Sequence, residues 1–163
     1  MNTPEIVHPV LFSLSEVVSG SGFFAGVAVI DGRGSMVPDV DGWWLYGVEP
    51  GVLAEDGDNP QEAHLKFAAS FRTLLFDVVA NTSSIEQFKE EVVRMFAQVN
   101  EPEAERWDAA LTATRAGRVQ LEDSYLQTLP KRKALPFRFT VEQLREAAAS
   151  PKLNQPNRFA KAV

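Results

Sequence analysis

The sequence predicts an α/β protein of the α+β kind: a small antiparallel sheet packed on one long helix, with a mostly helical C-terminal extension. Three stretches predict it. Residues 23–30 (FFAGVAVI) form an apolar, β-branched run of strand length. Residues 42–49 are aromatic-rich and alternate, with Trp43, Trp44, Leu45, Tyr46 and Val48, as suits a half-buried pleated surface. Residues 60–80 place Phe67, Ala68, Phe71, Leu74, Leu75, Val78 and Val79 on one helical face.

Taken in order, residues 7–14 (VHPVLFSL) carry strand-type residues, and Pro9 would confine such a strand to a sheet edge, because proline cannot donate to a ladder. Ser19 to Gly22 is a flexible break before the 23–30 strand, in which Gly26 marks a bulge or a close approach. Residues 31–41 (DGRGSMVPDVD) are rich in Gly, Pro and Asp and predict a hairpin-type connection into the aromatic strand. Pro50-Gly51 is a turn signal. Asn59 is placed to cap the long helix, with Pro60 at the first helical position and Glu62 at capping-box spacing.

Ser83 or Ser84 caps a second helix over 85–98, with Ile85, Phe88, Val92, Met95 and Phe96 on one face. A third helix is predicted over 103–116, with Trp107, Ala110, Leu111 and Thr114 inward and Gly117 at the C-terminal cap. Residues 118–129 fit a strand or an irregular segment. Residues 135–139 (LPFRF) read as extended, and Thr140 with Gln143 predicts a helix to about 149. The proline-broken, basic stretch 150–163 is expected to stay disordered unless bound. The organisation is thus a core with its following helix over 1–98, a helical extension over 99–149 and a basic tail.

With 163 residues the chain can bury a real core without staples. It has no cysteine, which excludes disulfides, thiolate metal sites and a cysteine nucleophile. No stretch reaches membrane-spanning length and no signal-peptide pattern opens the chain, so a cytoplasmic protein without membrane contact is the expectation. The net charge of −6 is unevenly spread. Residues 1–98 hold five basic and fourteen acidic side chains, whereas residues 130–163 hold eight basic and two acidic ones. An acidic body with a basic end fits an electrostatic partner for each, or a merely solvated tail.

Catalytic patterns are missing from the sequence. His8 and His64 have no metal or triad spacing. Glu55, Asp56, Asp58 and Glu62 lack the order of a calcium loop, and acidic groups there oppose the dipole of the following helix. The lone G-x-G of Gly32 to Gly34 has no helix after it, which rules out a dinucleotide fingerprint, and no serine lies in G-x-S-x-G. A protein that is not an enzyme and needs no metal or cofactor is expected. Two surface features invite a partner. On a strand Trp44 and Tyr46 share one face while Trp43 and Leu45 take the other. That aromatic set either packs in the core or forms a binding face. Lys131, Arg132, Lys133 and Arg138 form the densest basic patch, which fits nucleic-acid phosphates or a solvated hinge.

Asp41-Gly42-Trp43, Pro50-Gly51, Gly57-Asp58-Asn59 and Glu62-Ala63 stand in an order that resembles the HicB-like fold of bacterial antitoxins, over about residues 23–80. The resemblance implies a partial ribonuclease-H-like sheet without catalytic carboxylates. It implies a protein that binds and neutralises a cognate toxin, a small ribonuclease, by direct contact. In such a protein Trp43, Trp44, Tyr46, Glu55, Asp56 and Asp58 are the partner-binding candidates. The alternative is a transcriptional regulator that holds operator DNA through residues 131–138. The chain departs from the family in its two further helices and in having no complete DNA-binding motif at the end. A homodimer through the sheet edge is also compatible with a sheet this small.

Overall fold

The computed structural model describes residues 6–20, 25–118 and 138–143. In chain order the elements are β1 (His8–Ser19), β2 (Ala25–Asp39), β3 (Gly42–Glu49), β4 (Ala54–Gly57), α1 (Pro60–Ala80), α2 (Ile85–Phe96), α3 (Glu101–Arg115) and β5 (Arg138–Gln143). The class is mixed α+β. The strands run β1-β2-β3-β4 in space, with β5 also on β2, and every pairing is antiparallel. β1 lies along residues 25–36 of β2, while β5 takes residues 26–31 and β3 residues 33–39. β3 and β5 therefore share the side of β2 away from β1.

The DGRGSMVPD stretch departs from expectation. It is not a connection but the second half of β2, fifteen residues long, and the turn is confined to Val40 and Asp41. Its glycines serve close packing. A Cβ on Gly32 would come 2.4 Å from the Glu49 carbonyl oxygen and 2.7 Å from the Phe12 ring. A Cβ on Gly34 would come 2.8 Å from the Tyr46 carbonyl oxygen. The register shifts between Arg33 and Gly34, where β3 bulges.

The helices obey their caps. The Asn59 side chain accepts from the Glu62 amide at 2.9 Å, and the Glu62 carboxylate accepts from the Asp58 amide at 3.0 Å. Ser84 accepts from the Gln87 amide, whose side chain in turn accepts from Ser83. α3 begins earlier than predicted, at Glu101, with Asn100 as its cap and Pro102 inside the first turn, where no amide is needed. Gly117 follows its C-cap at φ 68°, as the pattern anticipated. Asn59→Ala is expected to cost about 1 kcal/mol, read as a lower urea midpoint with unchanged slope.

The expected helix from Thr140 is a correction: residues 140–143 belong to β5, paired with Gly26 to Val29 of β2. The ladder satisfies backbone groups that a capping-box spacing alone cannot, so tertiary pairing overrides the local signal. The expectations for 119–137 and 144–163 lie outside the described residues.

The sheet is covered on both faces. Val10, Phe12, Leu14, Ile30 and Leu45 meet α1 and α2 in the main core, with Phe67, Phe71, Leu75, Phe88 and Phe96. Phe12 meets Phe67 edge-on, as Phe71 meets Phe96. On the opposite face Trp107 and Ala104 of α3 pack on Val48, with Leu11 and Leu111 alongside. The Trp107 indole donates to the Val10 carbonyl oxygen at 3.4 Å. Backbone bonds from Gly51 to Gln98 and from Asn100 to Val48 fasten the start of α3 to the 48–51 turn. Among the described residues no helix is long and apolar enough to cross a membrane.

Candidate functional site

β3 divides the aromatic set as strand alternation requires. Trp43 turns toward the main core, its ring 5.8 Å from His8. Trp44 and Tyr46 stack on the other face at 5.5 Å with an interplanar angle of 13°, both half-buried. The Arg106 guanidinium of α3 lies 6.0 Å from the Tyr46 ring centroid. Glu103, buried one helical turn earlier, holds that guanidinium in an ion pair. A stacked pair with a cation at its end is the outcome of quadrupole electrostatics.

β4 forms the rim of this face. Asp56 is exposed and opposes Trp44 across the ladder, as exposed Ala54 opposes Tyr46. Glu55 opposes Leu45, which belongs to the α1 side of the sheet, and its carboxylate accepts from the Ser70 hydroxyl of α1. Asp58 lies at the start of α1. Lys66 bonds to Glu62 at 3.3 Å. Its pKa is held above the ordinary lysine value, first by that bond and further by the charges of Glu62, Asp56 and Asp58. The acidic cluster read from sequence is therefore split: Asp56 joins the aromatic pair, Glu55 is engaged by α1, and Asp58 serves the helix start.

Of the basic candidates, Lys131, Arg132 and Lys133 lie outside the described residues. Arg138 opens β5, opposite Asp31 in register.

Sequence reasoning missed Arg33, Glu49, Arg106 and Asp108. The Arg33 guanidinium sits 5.3 Å from the centroid of the Trp107 ring. It also pairs with Glu49 at 3.5 Å and Asp108 at 3.9 Å. These contacts need α3 on the sheet, and the nearest signal in the sequence was Trp107 itself, read as part of an inward stripe.

A shallow cleft between the end of α1 and α2 is lined in part by Asp77, Asn81, Thr82, Glu91, Arg94 and Met95. Its polar groups bond within their own segments: Asn81 to the Asp77 carbonyl, Thr82 to that of Val79, and Arg94 to Glu91. His64 is half-buried on α1, and loss of hydration pushes its pKa below the ordinary value. Among the described residues no group of three His, Asp or Glu side chains converges as a metal site would.

The chain matches no family model, no curated protein and no solved structure.

Proposed function

We propose that this protein is a non-catalytic, HicB-like antitoxin-type binder that neutralises a small basic protein, a toxin of ribonuclease character, by covering its surface. The observation that carries the reading is the Trp44–Tyr46 stack, half-exposed on a sheet face and bordered by exposed Asp56. Aromatic anchors beside a carboxylate are what a desolvated contact with a basic partner uses. The surplus of acidic side chains over residues 1–98 steers such a partner toward this body and disfavours acidic competitors. The segment that resembles HicB also contributes the face directly: its D-G-aromatic strand is β3, and its Gly57-Asp58-Asn59 start begins on the last residue of β4.

Capture of partners from the native host by the tagged full chain tests the reading. The expected result is a stoichiometric small basic protein whose binding weakens about 30-fold, or about 2 kcal/mol, in Trp44→Ala. The Asp56→Lys variant is expected to slow association more than it speeds dissociation. An unchanged affinity in both variants would remove this face from the interface. Recovery of a specific DNA fragment and no protein, lost on replacing Lys131, Arg132 and Lys133, would replace the reading with a regulator.

A further inference from the structure

β1 is an edge of the sheet: β2 lies on its inner side and, among the described residues, no strand lies on its outer side. Its twelve residues present an edge about 40 Å long at the usual rise per residue. Proteins blunt such edges with bulges, prolines or charges. The register of β1 on β2 is unbroken from His8 to Ser19, so no bulge turns this edge away. Pro9 lies near one end. Glu16 is the one acidic residue in the strand, and Arg72 of α1 pairs with it.

That ion pair also shows which flank of α1 turns toward β1. Leu65 lies seven residues before Arg72 and Phe76 four residues after it, so helical periodicity puts all three on one flank. Leu65 is 63% exposed and Phe76 45% exposed, with exposed Ala69 between them. Among the described residues, one side of the molecule thus joins a long strand edge with no outer neighbour to an apolar helix stripe, and its central charges, Glu16 and Arg72, cancel.

We propose that this side is a homodimer interface, in which β1 pairs antiparallel with β1 of a second copy about a two-fold axis perpendicular to the sheet. A second copy is the occupant that the pattern fits. Directly opposed residues in an antiparallel pair share a face, so self-pairing keeps Val10, Phe12, Leu14 and Val18 of both copies on the α1 side. α1 runs alongside β1 in the same direction, with Phe67 against Phe12 and Arg72 against Glu16. An axis through the middle of β1 therefore passes near the middle of the 65–76 stripe. It brings Leu65 of one copy toward the partner's Phe76. The neutral Glu16–Arg72 centre offers no field to a charged partner, whereas two copies meet there without repulsion. The Trp44 face lies at the β3–β4 side and stays open in this dimer, so the inference stands apart from the proposed function.

The test uses the full chain, whose lack of cysteine makes introduced thiols unambiguous. Light scattering after gel filtration at about 100 µM, well above a micromolar dimer constant, is expected to give twice 18.0 kDa. Leu65→Glu with Phe76→Glu changes only exposed positions; it is expected to keep the circular dichroism spectrum and to weaken dimerisation at least about tenfold. Ser13→Cys and Ser15→Cys, both exposed mid-strand, are oxidised singly and as a mixture, which covers an axis at 13, 14 or 15. Opposed Cα atoms in such a pair fall within disulfide range, so one of these samples is expected to cross-link far faster than Thr112→Cys on α3. A single-chain mass at that concentration overturns the proposal. So does a dimer whose β1 cysteines oxidise no faster than Thr112→Cys.

Discussion

Phe67→Ala is expected to destabilise the fold by about 3–5 kcal/mol and to lower the melting temperature by roughly 10 °C. Phe67 is 1% exposed, and its ring meets Phe12 edge-on at 5.1 Å, so α1 and β1 are both anchored on it. Truncation removes the transfer free energy of the ring and leaves a cavity between a helix and a sheet that cannot close on each other without moving Phe71 and Leu75 as well. Phe67→Leu, which keeps much of the volume, is expected to lose clearly less. Urea unfolding of the three proteins checks the order. A loss below about 1 kcal/mol for the alanine variant would mean that the helix does not rest on this sheet face.

Trp107→Ala is expected to cost a similar amount, about 3–5 kcal/mol, but by a different route. Trp107 fills the opposite face of the sheet against Val48, donates its indole N–H to Val10 and lies under the Arg33 guanidinium. Its removal takes away the anchor of α3 and leaves the Val10 carbonyl without that donor. Undocking should then precede global unfolding, as hydrogen exchange that rises in residues 101–115 before the core strands. Trp107→Phe retains apolar fill and loses the N–H bond, so about 1 kcal/mol of additional loss relative to ideal packing is expected from the bond alone. The Trp44 face shares this support: Arg106 precedes Trp107 in α3 and reaches Tyr46 only while the helix is docked. Weaker partner capture by the Trp107→Ala variant, at a temperature where its core remains folded, is the outcome expected if docked α3 supports the Trp44 face.

The local elements were legible because their causes are local. The capping side chains of Asn59 and Ser84 bond amides three residues away, and the alternation that sends Trp43 one way and Trp44 with Tyr46 the other is a property of any strand. The helical stripe of α1 likewise named its buried residues, with Phe67, Phe71, Leu75, Val78 and Val79 all inside. The errors have the opposite character. Gly32 and Gly34 read as a turn because glycine is the usual turn residue, yet here they admit the Phe12 ring and the Glu49 and Tyr46 carbonyls. Thr140 read as a helix cap, and pairing with β2 makes it a strand residue.

By itself the sequence determined the secondary elements that close their own hydrogen bonds, the apolar stripe of α1 and the two-sided character of β3. The tertiary structure alone decided that β2 runs through its glycines, that β5 lies against β2, and that α3 covers the second sheet face. It also decided the company each charge keeps: Glu55 with Ser70, Glu16 with Arg72, Arg33 with Trp107, and Arg106 with Tyr46. The reason is distance along the chain. A cap or a stripe is set by residues three or four positions apart, whereas Glu16 and Arg72 meet across fifty-six positions and Trp107 and Val10 across ninety-seven. Such contacts form only after the backbone has paid its ordering entropy elsewhere, and no local pattern encodes them.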